Sequence, residues 1–445
     1  MKKILILGAG LSSSSLIKYL LDHSDEHNWK IRVGDMSIDV AKKKIDNHQN
    51  GEAIEFNVFN EQQRIEEIQN TDVVISMLPA RFHHLVAERC VEFGKYMITA
   101  SYVSPEVKAL DKQAKEKGLL LLNEIGVDPG IDHMSAMKVI DEIKAKGGEM
   151  LAFKSSTGGL VAPEYDNNPW NYKFTWNPRN VVVAGQSVAQ YIDHGKYKFV
   201  PYHQLFKRIE KLSILDVGEF EMYPNRDSLS YRETYGLEDI PTLLRGTLRR
   251  PGYCASWDVF VQLGVTDDTY QIEDSENMTY RAFINSFLPY NEKDSVEQKL
   301  CDYTGIKMDS ETMERLKWVG IFEDTKIGLP NATPAQILQN LLEEKWALGP
   351  EDKDMIAMQH QFDYKLDGKT KRITSSLVVR GQDQVHTAMS ITVGIPVAIA
   401  TKLFLTGVIN RSGVVVPTMK DVYEPVLKEL KEYGIDFVEE EAELE

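Results

Sequence analysis

Two arginines carry the most specific chemistry in this chain. Arg226 lies in Asn225-Arg226-Asp227, and Arg245 in Leu244-Arg-Gly-Thr-Leu-Arg249. A guanidinium fork takes a carboxylate through two parallel hydrogen bonds, so the pair points to a ligand with at least two carboxylates. The competing reading is structural, with Arg226 paired to Asp227 or Glu221. Ser101-Tyr102 and Asp128 are the other sharp polar groups. Asp128 precedes Pro129, which favours extended backbone at that position. There it is suited to orient a substrate amine or a water; a plain turn aspartate is the alternative.

A second constellation opens the chain. The apolar run Lys3-Ile-Leu-Ile-Leu7 leads into Gly8-Ala9-Gly10-Leu11-Ser12-Ser13 and then a helical pattern through Leu16, Ile17, Leu20 and Leu21. A strand, a tight glycine turn and a helix start aim backbone N–H groups at a pyrophosphate. Asp35 ends the next strand-like run, where the ribose hydroxyls of a dinucleotide are expected. The pattern departs from G-x-G-x-x-G at Ser13, the position whose small residue usually lets helix and strand approach closely.

The histidines show no HExxH-type spacing, so no metal site is expected. His133 is better suited to a structural place at a helix start than to proton transfer, and His83-His84 fall in a helix. No G-x-S-x-G elbow or P-loop occurs, which disfavours acyl transfer and nucleotide hydrolysis.

The elements that position these residues follow from periodicity. Strand patterns at 3–7, 29–35, 53–58, 71–78, 96–100 and 119–124 alternate with helical ones. Such alternation predicts an α/β fold with a doubly wound parallel sheet of Rossmann type, which binds ligands at the strands' carboxyl ends. That rule selects Gly8 to Ser13, Asp35, Asn57, Ser76 to Pro79, Ser101-Tyr102 and Gly126 to Asp128. From about residue 126 the texture becomes mixed and aromatic-rich, and from 252 to 350 it is helical without strand alternation. A hairpin around Asp367-Gly368 follows, after which helices are expected to finish the chain. Lys42 to Lys44 are expected to face outward.

Composition bounds the rest. The chain has 445 residues, too many for one core, and a formal net charge of −16. That charge gives no general attraction for nucleic acid or anionic membrane. The acidic end, Val438-Glu-Glu-Glu-Ala-Glu-Leu-Glu445, reads as a solvated, frayed tail. Three cysteines without CxxC spacing fit a reducing compartment. The apolar segment from Ala388 to Ile409, interrupted by Lys402 and Pro396, reads as a buried helix rather than a membrane span. No signal peptide is recognised, and a cytoplasmic location is expected.

Ile75-Ser-Met-Leu-Pro79, Thr99-Ala-Ser-Tyr-Val-Ser104, Asn123-Glu-Ile-Gly-Val-Asp-Pro-Gly-Ile-Asp-His133, Tyr172-Lys-Phe-Thr-Trp176 and Tyr223-Pro-Asn-Arg-Asp-Ser228 recur in order with Leu244-Arg-Gly-Thr-Leu-Arg249 and Met389-Ser-Ile-Thr-Val-Gly-Ile-Pro396. Together they resemble the L-glutamate-forming saccharopine dehydrogenases, also called saccharopine reductases, over essentially the whole chain. The resemblance implies a Rossmann domain from residues 1–125 and 395–445. It further implies a mixed α/β substrate and dimerisation domain from 126–251 and 350–394, with an all-helical insert at 252–349. It implies an oxidoreductase acting on saccharopine, a secondary amine with three carboxylates, in lysine metabolism. Nicotinamide dinucleotide and water convert it to glutamate and 2-aminoadipate 6-semialdehyde, reversibly.

Carried over residue by residue, the resemblance places Ser101, Tyr102, Asp128, Thr157, Asn225, Arg226, Arg245 and Thr247 on the substrate. Asp128 is the candidate catalytic group, orienting the amine or handling its proton. Gly8, Ala9, Gly10, Leu11, Ser12, Ser13, Asp35, Met36, Asn57, Val58, Ser76, Met77, Leu78, Ala100, Ser101, Gly126, Val127, Asp128 and Trp176 would line the cofactor. Thr157 departs from the cysteine common in the family, although a hydroxyl can also donate. Asp35 favours NAD, with NADP as the alternative. A homodimer is expected by analogy. The rival readings are a polyamine-forming relative of the carboxynorspermidine dehydrogenase type, which would need acidic pockets, and a non-enzymatic dinucleotide-binding regulator, which would need no paired arginines.

Overall fold

The computed structural model describes residues 1–444, which fall into two compact units. The first comprises Met1–Glu149 with Leu377–Val438, the second Met150–Ser376 with Glu439–Glu445.

The first unit is built on β1 (Lys2–Leu7), β2 (Trp29–Asp35), β3 (Gly51–Glu55), β4 (Val73–Ser76), β5 (Tyr96–Ile98) and β6 (Leu120–Leu122). These are the six strands expected from periodicity. Ile4, Ile6, Val73, Val74, Ile75 and Leu120 to Leu122 are buried on both faces, as in a parallel sheet covered by helices. The strand order is β6-β5-β4-β1-β2-β3, with a seventh strand, Gly413–Val415, added beyond β6. That strand is a correction to the expected all-helical finish: three residues are too few for a period-2 pattern to register. The order reverses direction between β1 and β4, where β1 pairs in parallel with both β2 and β4. The carboxyl ends of these strands form the crevice in which such folds bind ligands.

The helix Ala388–Leu405 is long and apolar enough to cross a membrane, yet most of it is buried within the unit. It packs on the helix Ser14–Asp22 so tightly that a Cβ on Gly394 would meet Leu16 N at 2.8 Å. Ser390 Oγ accepts from Ser15 N at 3.0 Å in the same contact. The close approach at the glycine turn therefore comes from Gly394 on this C-terminal helix. Ser13 is buried and returns its hydroxyl to Gly10 O at 2.8 Å.

The unit also keeps the helix Ile131–Ala145, expected in the second domain; Tyr423 Oη donates to its Asp141 at 2.7 Å. The two boundaries thus fall at 149/150 and 376/377 rather than at 125/126 and 394/395.

The second unit has a nine-stranded sheet. Its strands are β7 (Glu149–Val161), β8 (Ala189–Asp193), β9 (Lys196–Val200), β10 (Glu210–Ser213), β11 (Glu219–Pro224), β12 (Thr242–Arg249), β13 (Asp354–Leu366), β14 (Lys369–Arg380) and, after β15 (Gly413–Val415) of the first unit, β16 (Val438–Glu443). β13 and β14 form the expected hairpin, with Asp367 and Gly368 both at positive φ as a two-residue turn requires. The acidic tail is not frayed: β16 lies beside β14, and Leu444 N donates to Thr370 O at 2.8 Å. Lys369 and Lys371 pair with Glu443 and Glu441, which is how so acidic a strand is held.

Residues 252–349 contain no strand among the described residues, as expected, but they are not a separate unit. Trp257 and Trp346 of this region are fully buried against Trp170 and Tyr172, and Trp170 Nε1 donates to Arg315 O at 2.9 Å. The shared aromatic core holds the helices to the rest of the unit.

Candidate active site

At the end of β1 the chain turns at Gly8, with φ of 101°. A Cβ there would lie 2.6 Å from Met77 O, so only glycine lets this turn meet the segment after β4. Met77 N donates back to Leu7 O at 2.8 Å. Asp35, at the end of β2, accepts from Ala9 N at 2.8 Å and from Ser37 N at 3.0 Å. Its carboxylate is thereby fixed beside the glycine turn. The turn, the following helix start and this carboxylate fit a dinucleotide's pyrophosphate and ribose. Met36 is largely exposed next to Asp35. Asn57 at the end of β3 is exposed and caps its own turn, accepting from Phe59 N at 3.0 Å, while Val58 is buried.

Lys44 does not face outward as expected. It turns inward to donate to Ser14 Oγ at the start of the first helix, and burial lowers its pKa. Lys42 and Lys43 are exposed.

The ends of β4 and β5 are joined through a histidine that spacing alone did not select. Ser76 Oγ lies 2.8 Å from His83 Nδ1, and Ser101 Oγ lies 2.7 Å from His83 Nε2. Burial, with His84 adding a smaller push, lowers the His83 pKa to about 4, so the ring is neutral. Ala100 and Gly126 approach closely: a Cβ on Gly126 would meet Ala100 Cβ at 2.9 Å. Tyr102 Oη donates to Asp128 Oδ1 at 3.1 Å.

Beneath this pair is a buried network. Glu124, at φ of 57°, accepts from Val103 N at 3.0 Å and meets His133 Nε2 at 2.9 Å. His133 is fully buried, in the structural place expected of it. Asp132 accepts from Gly130 N at 2.6 Å and holds the turn that carries the cis Asp128–Pro129 peptide. Glu124 was missed because its use depends on a single left-handed residue, which sequence does not mark.

In the second unit the expected substrate residues lie on three adjacent strands. Thr157 of β7, Thr247 of β12 and Tyr223 of β11 are in register across the sheet. The loop after β11 is tied to β12, because Asn225 N donates to Arg245 O at 2.8 Å and Arg245 N donates to Ser228 Oγ at 2.9 Å. Arg226 is exposed, with φ of 46°, and makes no ion pair among the described residues. The pairing with Asp227 or Glu221 does not occur: Asp227 takes Leu229 N and Ser230 N, and Glu221 takes Gly252 N and Cys254 N. Arg245 is buried, with its guanidinium carbon 4.1 Å from the centre of the Tyr231 ring. Thr157 Oγ1 is buried with no hydrogen-bond partner among the described residues, a polar atom left for a ligand or water. Trp176 stands partly exposed after the buried run Tyr172 to Thr175, which lies outside the strands.

Arg249, two residues beyond Thr247 on the same face of β12, was not anticipated. It is buried among Tyr172, Tyr223 and Tyr253, with ring centres 4.9 to 6.0 Å away. Its alternation with Arg245 and Thr247 was the available signal.

Comparison with known proteins gives the family and the fold. Residues 4–122 match the family model of the saccharopine dehydrogenase NADP binding domain, and residues 126–435 that of the saccharopine dehydrogenase C-terminal domain. The chain belongs to the saccharopine dehydrogenase family. It is 34% identical to a saccharopine dehydrogenase [NADP(+), L-glutamate-forming] of Pyricularia oryzae, over 98% of each chain. The solved structure of apo saccharopine dehydrogenase (L-Glu forming) from Saccharomyces cerevisiae covers 99% of this chain and is itself covered completely, with a TM-score of 0.90 and 32% identity. The rat mitochondrial alpha-aminoadipic semialdehyde synthase is 34% identical over 98% of this chain, but the chain spans only 47% of that protein's length. The α/β fold and the dinucleotide-binding unit of this family are those described above.

Proposed function

We propose that the chain catalyses the reversible oxidation of saccharopine with a nicotinamide dinucleotide and water, yielding L-glutamate and 2-aminoadipate 6-semialdehyde. The observation that carries this reading is the backbone tie of the 225–228 loop to both faces of the Arg245 peptide. It fixes two arginines on one short stretch of structure, and Arg226 makes none of the ion pairs among the described residues that a structural role would need. Two placed guanidinium groups suit a substrate with several carboxylates and do not suit a cationic polyamine.

Arg226 and Arg245 would bind carboxylates, with Arg245 held in orientation by the Tyr231 ring. Asp128, with Tyr102 donating to it, would orient the secondary amine and accept its proton at a carboxylate oxygen. Gly8 to Ser13 and Asp35 would hold the dinucleotide, which supplies the hydride acceptor when bound. The homodimer and the cytoplasmic location belong to the same proposal; sedimentation of the purified chain and fractionation of the source cells check them.

Nicotinamide absorbance followed with saccharopine, and separately with glutamate plus the semialdehyde, tests the function. Turnover in both directions is expected, and absence of turnover in both overturns the proposal.

A further inference from the structure

Ser76 and Ser101 end two neighbouring strands, and one imidazole touches both hydroxyls. A neutral imidazole has one N–H donor and one bare nitrogen, so it cannot treat two serines alike. Ser76 is fully buried, and its hydroxyl's hydrogen bond among the described residues is the one to His83 Nδ1. A buried hydroxyl whose proton has no acceptor is costly, so Ser76 must donate into Nδ1. The ring proton is then on Nε2 and is donated to Ser101 Oγ at 2.7 Å. With its lone pair engaged by the ring, Ser101 keeps its own O–H proton for a group outside the pair.

We propose that His83 is a positioning residue that, in its Nε2–H tautomer, presents the Ser101 hydroxyl to the bound substrate as a hydrogen-bond donor. The chain of contacts runs from a fully buried serine through a buried ring to a serine that is only partly buried. A donor at Ser101 suits a carboxylate oxygen, whereas the opposite tautomer would present only lone pairs and repel it. The substrate's identity rests on the dehydrogenase reading; the tautomer does not.

Nitrogen-15 NMR of histidine-labelled protein tests the tautomer directly, with the His83 signals among those of the ten histidines identified by their loss in His83→Asn. The expected pattern is a protonated Nε2 and a bare Nδ1 at neutral pH; a protonated Nδ1 overturns the proposal. Kinetics supply the second arm. Asn places its amide near the Nδ1 position and Gln near Nε2, so His83→Asn should lose the Ser101 contact and His83→Gln keep it. His83→Asn and Ser101→Ala should each lower kcat/KM for saccharopine about 10-fold, and His83→Asn should leave dinucleotide affinity, measured by tryptophan quenching, within about twofold. His83→Gln should recover most of the loss, and the double variant H83N/S101A should be no worse than Ser101→Ala alone. Additive losses, or equal losses in His83→Gln and His83→Asn, would show that the ring merely fills space. If the wild-type protein does not turn over saccharopine, the functional reading fails, and the NMR result still decides the tautomer.

Discussion

Tyr102 Oη donates to Asp128 Oδ1 across 3.1 Å, linking the segment after β5 to the turn after β6. The link is supported from below, because Val103 N donates to Glu124 Oε1 and Glu124 Oε2 meets the fully buried His133. A carboxylate that must meet an amine at a defined angle gains from such a fixed donor. Asp128→Asn keeps the shape and removes the charge, so kcat for saccharopine oxidation should fall about 100-fold or more, within the range for general acid–base groups. Tyr102→Phe keeps the charge and removes only the donor, and a loss of about 10-fold is expected. Steady-state kinetics at saturating dinucleotide checks both; a loss in Asp128→Asn no larger than that in Tyr102→Phe would mean that the Asp128 charge takes no part in proton transfer.

The two arginines should separate substrate from cofactor. Arg226→Ala is expected to raise the KM for saccharopine by about 10- to 100-fold, the worth of a charge-assisted pair, and to leave the KM of the dinucleotide nearly unchanged. Arg245→Lys should be almost as damaging, because lysine has neither the planar fork nor the face that stacks on Tyr231. Turnover with saccharopine unaffected by Arg226→Ala would place the substrate elsewhere.

Asp35 governs cofactor choice. Its carboxylate is fixed by Ala9 N and Ser37 N, so it cannot swing away from a 2′-phosphate. Fixed negative charge favours ribose hydroxyls and repels phosphate. NAD should therefore show a lower KM than NADP, even though the fungal relatives are named for NADP(+). Asp35→Ser should narrow the gap. A lower KM for NADP in the wild-type protein refutes the assignment.

How much of this was legible depended on whether the information is local. Gly8 and Asp35 stand at fixed offsets from an apolar run, and the six strands announce themselves through long buried stretches such as Val73 to Ser76. Arg226 and Arg245 were recognisable by residue type. What joins them was not, since the tie runs through the Arg245 backbone and the Ser228 hydroxyl on another strand. Lys44 was misjudged because its position on a polar helix says nothing of how far a four-carbon stem reaches toward Ser14. The tail was misjudged because strand β16 draws its support from Lys369, Lys371 and the Thr370 carbonyl, some seventy residues away in sequence. His83 needed the two strand ends brought side by side before its two nitrogens acquired partners.

The neutral, buried His83 also makes stability depend on pH with a defined sign. Its pKa is about 4 in the folded protein against 6.5 for the free side chain, so between these values the unfolded chain binds the extra proton. Stability from this group is complete above pH 6.5, falls as pH drops through the window, and levels off below about pH 4. A lowered histidine pKa thus works in the same direction as acid unfolding, and the loss amounts to about 2 kcal/mol by pH 5. His83→Gln carries no such proton. Urea unfolding at pH 8 and pH 5 should show the wild type losing about 2 kcal/mol more than the variant over that interval, whatever the variant's stability at pH 8. An equal loss in both proteins would mean that His83 takes up its proton in the folded state as readily as in the unfolded chain, and the Ser76 hydroxyl would lose its acceptor when it does.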